Sequence, residues 1–131
     1  MTDTGSGRPL LEKLGVRPGA RVEVLGLDAE GWFFDELRAA GAITGRRPPF
    51  DLVFVRVDHP DDLDELRRLR GRITQSGAIW VVRVKGKSRR LTDIEIIEAA
   101  KRSDLVDNKI ASFSDALAAM RLVIPVSRRT T

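Results

Sequence analysis

The stretch Phe50-Asp51-Leu52-Val53-Phe54-Val55-Arg56-Val57 decides the fold. It is apolar and largely β-branched, whereas a strand with one wet face would alternate strictly. Such a run marks a strand covered on both faces, as in a parallel sheet. Arg21–Leu25 (RVEVL) and Gly77–Val84 (GAIWVVRV) read as two more strands, upstream and downstream of it. Between the first two strands, Asp28 is placed to cap a helix over about 29–40, with Phe33, Leu37 and Ala40 on its apolar face and Gly41 at its end. Between the second and third, Pro60 suits the first position of a helix running to about residue 72, with the stripe Leu63, Leu66, Leu69 and Ile73. Thr92-Asp93-Ile94-Glu95 matches a capping box and opens a further helix to about Ser103. Two final strands, about 105–113 and 117–126, are separated only by the Ser114-Asp115 region. That connection suits an antiparallel hairpin, because a parallel crossover needs a dozen residues or more.

This alternation predicts a three-layer α/β sandwich whose sheet is mainly parallel and ends in an antiparallel hairpin. The small, polar, glycine-rich residues 1–9 read as a disordered N-terminal tail, and 10–131 as a single domain. Leu10–Leu14 forms a turn or two of helix closed by Gly15, and Pro18-Gly19 marks a turn. Gly45-Arg46-Arg47-Pro48-Pro49 is a loop, preceded at most by a short strand at 42–44.

Composition excludes several classes of chemistry. With no cysteine and one histidine, disulfides, thiolate zinc sites, cysteine nucleophiles and multi-histidine metal sites are ruled out. No apolar run approaches the ~18 residues of a membrane span, so a cytoplasmic protein without a membrane partner is expected. The pI of 10.1 overstates a net charge of only +4. Without Tyr or Cys, little titrates between the carboxylates and the lysines, and a small excess of base carries the pI far up.

The order Pro18-Gly19-Ala20-Arg21-Val22, Phe50-Asp51-Leu52-Val53, Gly77-Ala78-Ile79-Trp80 and the closing hairpin resembles the Rossmann-like S-adenosylmethionine methyltransferases over about residues 10–129. Leu11-Glu12-Lys13-Leu14-Gly15, Pro18-Gly19, Gly31-Trp32, Lys87-Ser88 and Thr92-Asp93 are similar to a small bacterial family of unknown function that looks like pared-down methyltransferases. That likeness implies no established activity. The methyltransferase cofactor loop reads acid, apolar, Gly-x-Gly-x-Gly. Gly26 matches its first glycine, but Asp28 and Glu30 stand at the other two, and Val24 stands at the acidic position. Glu23 is one place off and is expected on the opposite face. Methyltransferases also place a strand, a helix and a strand before the strand matching 50–57, with acidic residues there that hold ribose and adenine. Here only residues 41–49 intervene. The resemblance therefore implies a methyltransferase-like sandwich lacking part of the strand 2–3 region, with no cofactor and no catalytic residues. It acts in this reading as a binding or assembly module. The alternatives are a divergent small S-adenosylmethionine-dependent methyltransferase, or a nucleic-acid- or anion-binding protein using the loop 85–90.

In parallel sheets ligands sit outside the carboxyl ends of the strands, which directs attention to loops 26–31, 58–61 and 85–92. Asp58-His59-Pro60 reads as a helix cap rather than a general base. Arg67, Arg68, Arg70 and Arg72 read as a solvated helix end with an Asp64–Arg68 pair, and Trp32, Phe33 and Trp80 as packing. Gly86-Lys87-Ser88 fails as a phosphate-binding loop, because Val81 stands where its first glycine is required. The candidate ligand site is the basic loop itself: Lys85, Lys87, Ser88, Arg89, Arg90 and Thr92, for a phosphate-bearing or acidic partner. The missing outer strands leave 21–25 or 42–44 at an open edge, which predicts a homo-oligomer. No metal site is expected.

Overall fold

Strands β1 (Arg21–Leu25), β2 (Ile43–Thr44), β3 (Phe50–Arg56), β4 (Ile73–Val84), β5 (Val106–Ser112) and β6 (Leu117–Val123) form one sheet in the order β2-β1-β3-β4-β6-β5. The computed structural model describes residues 9–86 and 91–129. The expected tail at 1–9, apart from Pro9, lies outside the described residues, as do Lys87, Ser88, Arg89 and Arg90 of the expected anion site. Strands β2, β1, β3 and β4 run parallel, whereas β6 pairs antiparallel with both β4 and β5. The last strand thus lies beside β4 and leaves β5 at the edge.

Alternation of side chains along the strands builds two cores. Helices α1 (Leu10–Lys13) and α2 (Gly31–Ala39) cover one face, where Leu14, Phe33 and Leu37 pack on Val22, Phe54, Trp80 and Val123. Helices α3 (Glu65–Arg70) and α4 (Asp93–Arg102) cover the other, where Leu66, Leu69 and Ile96 pack on Val53, Val55, Ile79 and Leu122. The β3 run is buried on both faces because both layers press on it. Trp80, wholly buried, donates its indole N–H to the Leu14 carbonyl at 3.0 Å and so ties the end of α1 to the sheet.

Boundaries around the crossover from β3 to β4 differ from the sequence reading. Pro60–Asp64 forms a 3-10 turn, and only Glu65–Arg70 is α-helical. Ile73 belongs to β4, paired with Phe50, rather than to the helix. It still joins the core stripe of Leu63, Leu66 and Leu69, which is why helical spacing assigned it there. Strand β4 consequently bends across Gly77, where the register against β3 shifts. A Cβ at Gly77 would lie 2.8 Å from the Asp51 carbonyl, so only glycine lets β3 approach so closely.

Candidate functional site

Helix α2 carries the chain from β1 to β2 on one face, and α3 carries it from β3 to β4 on the other. The sheet therefore reverses its winding between β1 and β3, the position where open α/β sheets hold ligands. Gly26, with φ of +76°, turns the chain out of β1 at this point. A Cβ there would meet Arg56 Cβ at 3.0 Å. The end of β3 thus lies directly against the turn after β1. Beyond it Leu27 is buried and its carbonyl accepts the Glu30 amide at 2.9 Å. That turn delays α2, so Glu30 rather than Asp28 takes the N-cap position, and no side chain caps the helix. Glu30 accepts the Trp32 indole N–H at 2.9 Å instead. Trp32 packs on Phe33 and Phe113, as its reading as a packing residue has it, and stays 39% exposed at the rim of that core.

Beside the switch point, the carboxyl ends of β3 and β4 enclose a cleft of about 350 Å³ lined by Arg56, Asp58, His59, Arg83 and Leu91. Its charges are partly matched from within. Arg56 Nε donates to Asp58 Oδ1 at 2.8 Å, and Arg83 pairs with Asp93 at the start of α4. Asp62 Oδ2 accepts the amides of Asp58 and His59 at 3.3 and 3.2 Å. Asp58-His59 thus serves the start of the 3-10 turn. Among the described residues no group of three metal-ligating side chains converges.

The expected anion residues that are described lie on different anchors. Lys85 Nζ donates to Ser112 Oγ of β5 at 2.8 Å. Thr92 caps α4: its Oγ1 accepts the Glu95 amide at 3.2 Å and donates to Glu95 Oε1 at 3.0 Å. The Thr92 amide donates to that same carboxylate oxygen at 2.9 Å, completing the predicted capping box. The structure brings Arg56 and Arg83 to this end of the sheet as well. Arg56 closes the β3 run, and a cation ending an apolar strand was the signal available in the sequence.

A second groove, about 610 Å³, lies where β2 stops. β2 pairs only with Arg21 and Val22, so among the described residues Glu23–Leu25 has no strand on that side. Glu23 faces away from Val22 and Val24, as its register predicts, and is buried. Arg72 donates to it from Nε and Nη2 at 3.1 and 2.9 Å, and from Nη2 to the Arg46 carbonyl at 2.9 Å. This hydrogen bonding to Glu23 raises the Arg72 pKa above its ordinary value. The basic run is a solvated helix end at Arg67 and Arg68, which are exposed in the last turn, but Arg72 lies past the helix and is held by Glu23. Arg67 donates to the Arg102 carbonyl, Arg70 to the Asp104 side chain at 3.2 Å, and Arg68 to Glu65 at 2.8 Å rather than to Asp64.

The fold recurs in solved structures. The CcbJ methyltransferase from Streptomyces caelestis superimposes with a TM-score of 0.60 at 11% identity, over 94% of this chain and 93% of that one. A SAM-dependent methyltransferase from Aquifex aeolicus gives 0.63 at 10%, over 88% and 87%. This is a methyltransferase fold. A methyltransferase of calicheamicin biosynthesis, CalO1, in its SAH-bound form, gives 0.65 at 13%, over 87% of this chain but 52% of its own. No protein-family model matches the sequence. No curated protein matches it either. Within the methyltransferase fold, the turn after β1 carries Asp28 and Glu30, and β2 is two residues long. No described helix is long and apolar enough to cross a membrane.

Proposed function

We propose that this chain is a non-catalytic methyltransferase-like domain that serves as a binding and assembly module. The observation that carries this reading is the close approach of Arg56 to Gly26 at the switch point, where a Cβ on residue 26 would lie 3.0 Å from Arg56 Cβ. There the end of β3 lies against the turn that a nucleoside cofactor would need open. Asp28 and Glu30 bring negative charge to the same loop, and β2 ends in Thr44-Gly45-Arg46 without a carboxylate. Binding at this end of the sheet is directed to a phosphate-bearing or acidic group, by the cations Arg56, Arg83 and Lys85 and by the basic residues Lys87, Arg89 and Arg90 beyond them in sequence.

Thermal denaturation with S-adenosylmethionine and S-adenosylhomocysteine tests the reading, since a ligand of the native state raises its melting temperature by mass action. No shift is expected. A saturable rise at micromolar cofactor would favour a divergent methyltransferase instead. The assembly half rests on the open edge at Glu23–Leu25, because unpaired edges are covered, charged or joined to another chain. Light scattering at high micromolar concentration is expected to give a mass above the monomer. A strictly monomeric mass removes that half and leaves the binding module.

A further inference from the structure

Arg121 is a partly buried cation among other cations. Along β6, Leu117, Ala119 and Val123 belong to the core under α1 and α2, and Arg121 shares their register opposite Trp80. On the outer side β5 sets Lys109 directly opposite Arg121. Lys109 Nζ reaches over this face to the Lys13 carbonyl at the end of α1, at 2.9 Å. Arg129 folds back after β6, with Nε donating to the Ile124 carbonyl at 2.9 Å. Among the described residues Arg121 makes no ion pair and no side-chain hydrogen bond.

The acid nearest Lys109 in sequence, Asp107, is kept away. Asp107 and Lys109 would share a face in a regular strand, but a bulge lies between them. Asp107 then sits opposite Leu122, in the α4-side core, while Lys109 sits opposite Arg121 on the α1 side. Like charges directly opposite one another destabilise a sheet. Burial, and then the charge of Arg129, hold the Arg121 pKa below its ordinary value. The arrangement costs stability unless an anion completes it.

We infer that Arg121 and Lys109 form a binding site for a phosphoryl group on the α1 side of the hairpin, apart from the carboxyl-end cleft. A guanidinium fork with an ammonium set directly opposite it suits a doubly charged oxyanion, whose several oxygens accept from both donors. The test is a titration of the full chain with inorganic phosphate, against chloride at matched ionic strength, followed by residue-resolved amide correlation spectra. Saturable shifts are expected at residues 108–111 and 119–123. A parallel titration with adenosine monophosphate separates the sources: equal affinity identifies the phosphoryl group as the whole ligand, and tighter binding adds the nucleoside.

Arg121→Met is expected to weaken phosphate binding about tenfold or more. The same variant is expected to melt higher than the parent in phosphate-free buffer, because an unpaired, repelled cation has been removed. Lys109→Gln, which leaves the core untouched, should weaken binding in the same direction and serves if the first variant does not fold. Shifts confined to residues 56–59 and 83–86 would assign phosphate to the carboxyl-end cleft and overturn this site without touching the proposed function. Unchanged binding by Lys109→Gln and by any folded Arg121→Met would also overturn it.

Discussion

Arg72 grips Glu23 with two parallel hydrogen bonds, 3.1 Å from Nε and 2.9 Å from Nη2, across 49 positions of sequence. The pair links the start of β4 to β1, which has only two residues of β2 on its other side. Removing one member leaves the other without its counter-charge in a partly dry site. Glu23→Gln is expected to lower the melting temperature by on the order of 5 °C. Glu23→Gln with Arg72→Met should recover part of the loss, and a double-mutant cycle measures the coupling. Strict additivity would show that the pair contributes nothing.

Gly77→Ala addresses the bend in β4. Its new methyl would sit 2.8 Å from the Asp51 carbonyl, 2.9 Å from Thr74 Oγ1 and 3.2 Å from the Phe50 carbonyl. Two of these are backbone atoms of a central strand and yield little. A loss of about 1–3 kcal/mol is expected in urea denaturation.

Gly26→Ala and Gly15→Ala form a matched comparison. Both glycines have positive φ, +76° and +81°. An added Cβ at Gly15 meets nothing within 4 Å, so only the backbone conformation resists it, at roughly 1–2 kcal/mol. At Gly26 the contact with Arg56 adds to that cost. Equal losses at the two sites would show that the switch-point crevice is roomier than its geometry indicates.

Thr92→Ala removes the hydroxyl that caps α4 and the partner of Glu95. A loss of about 1 kcal/mol is expected, with faster amide exchange in the first turn of the helix. If instead stability holds while anion binding falls, Thr92 belongs to the basic loop's site rather than to its helix.

Local signals were legible where local chemistry decides. The strand Arg21–Leu25 matches its sequence reading to the residue, because Pro18-Gly19 and Gly26 punctuate both ends. The capping box at Thr92 was legible for the same reason, since its partners lie three residues apart. Helical spacing carried Ile73 into the wrong element, because leaving the helix at Gly71 is set by pairing with Phe50, more than twenty residues away. The partner of Glu23 was equally hidden. A carboxylate in an apolar strand asks for a cation, but nothing nearby says that Arg72 supplies it. The cation cluster at Arg121 depends on a bulge that reverses the facing of Lys109 relative to Asp107, and strict alternation conceals it. At the carboxyl end, Lys85 is tied to Ser112 and Thr92 to Glu95 rather than to each other, and the cleft's Arg56 came from the fold.

The insertion of β6 between β4 and β5 imposes an order on synthesis. β5 touches no other strand, so residues 106–112 leave the ribosome before the strand they pair with. Until Leu117–Val123 follows, β4 remains an exposed edge carrying Ile79, Trp80 and Val81, all fully buried in the finished sheet. A chain truncated at about residue 115 would therefore hold four parallel strands and an unprotected apolar border. That is the stage at which it is most open to capture by chaperones or to pairing with another chain.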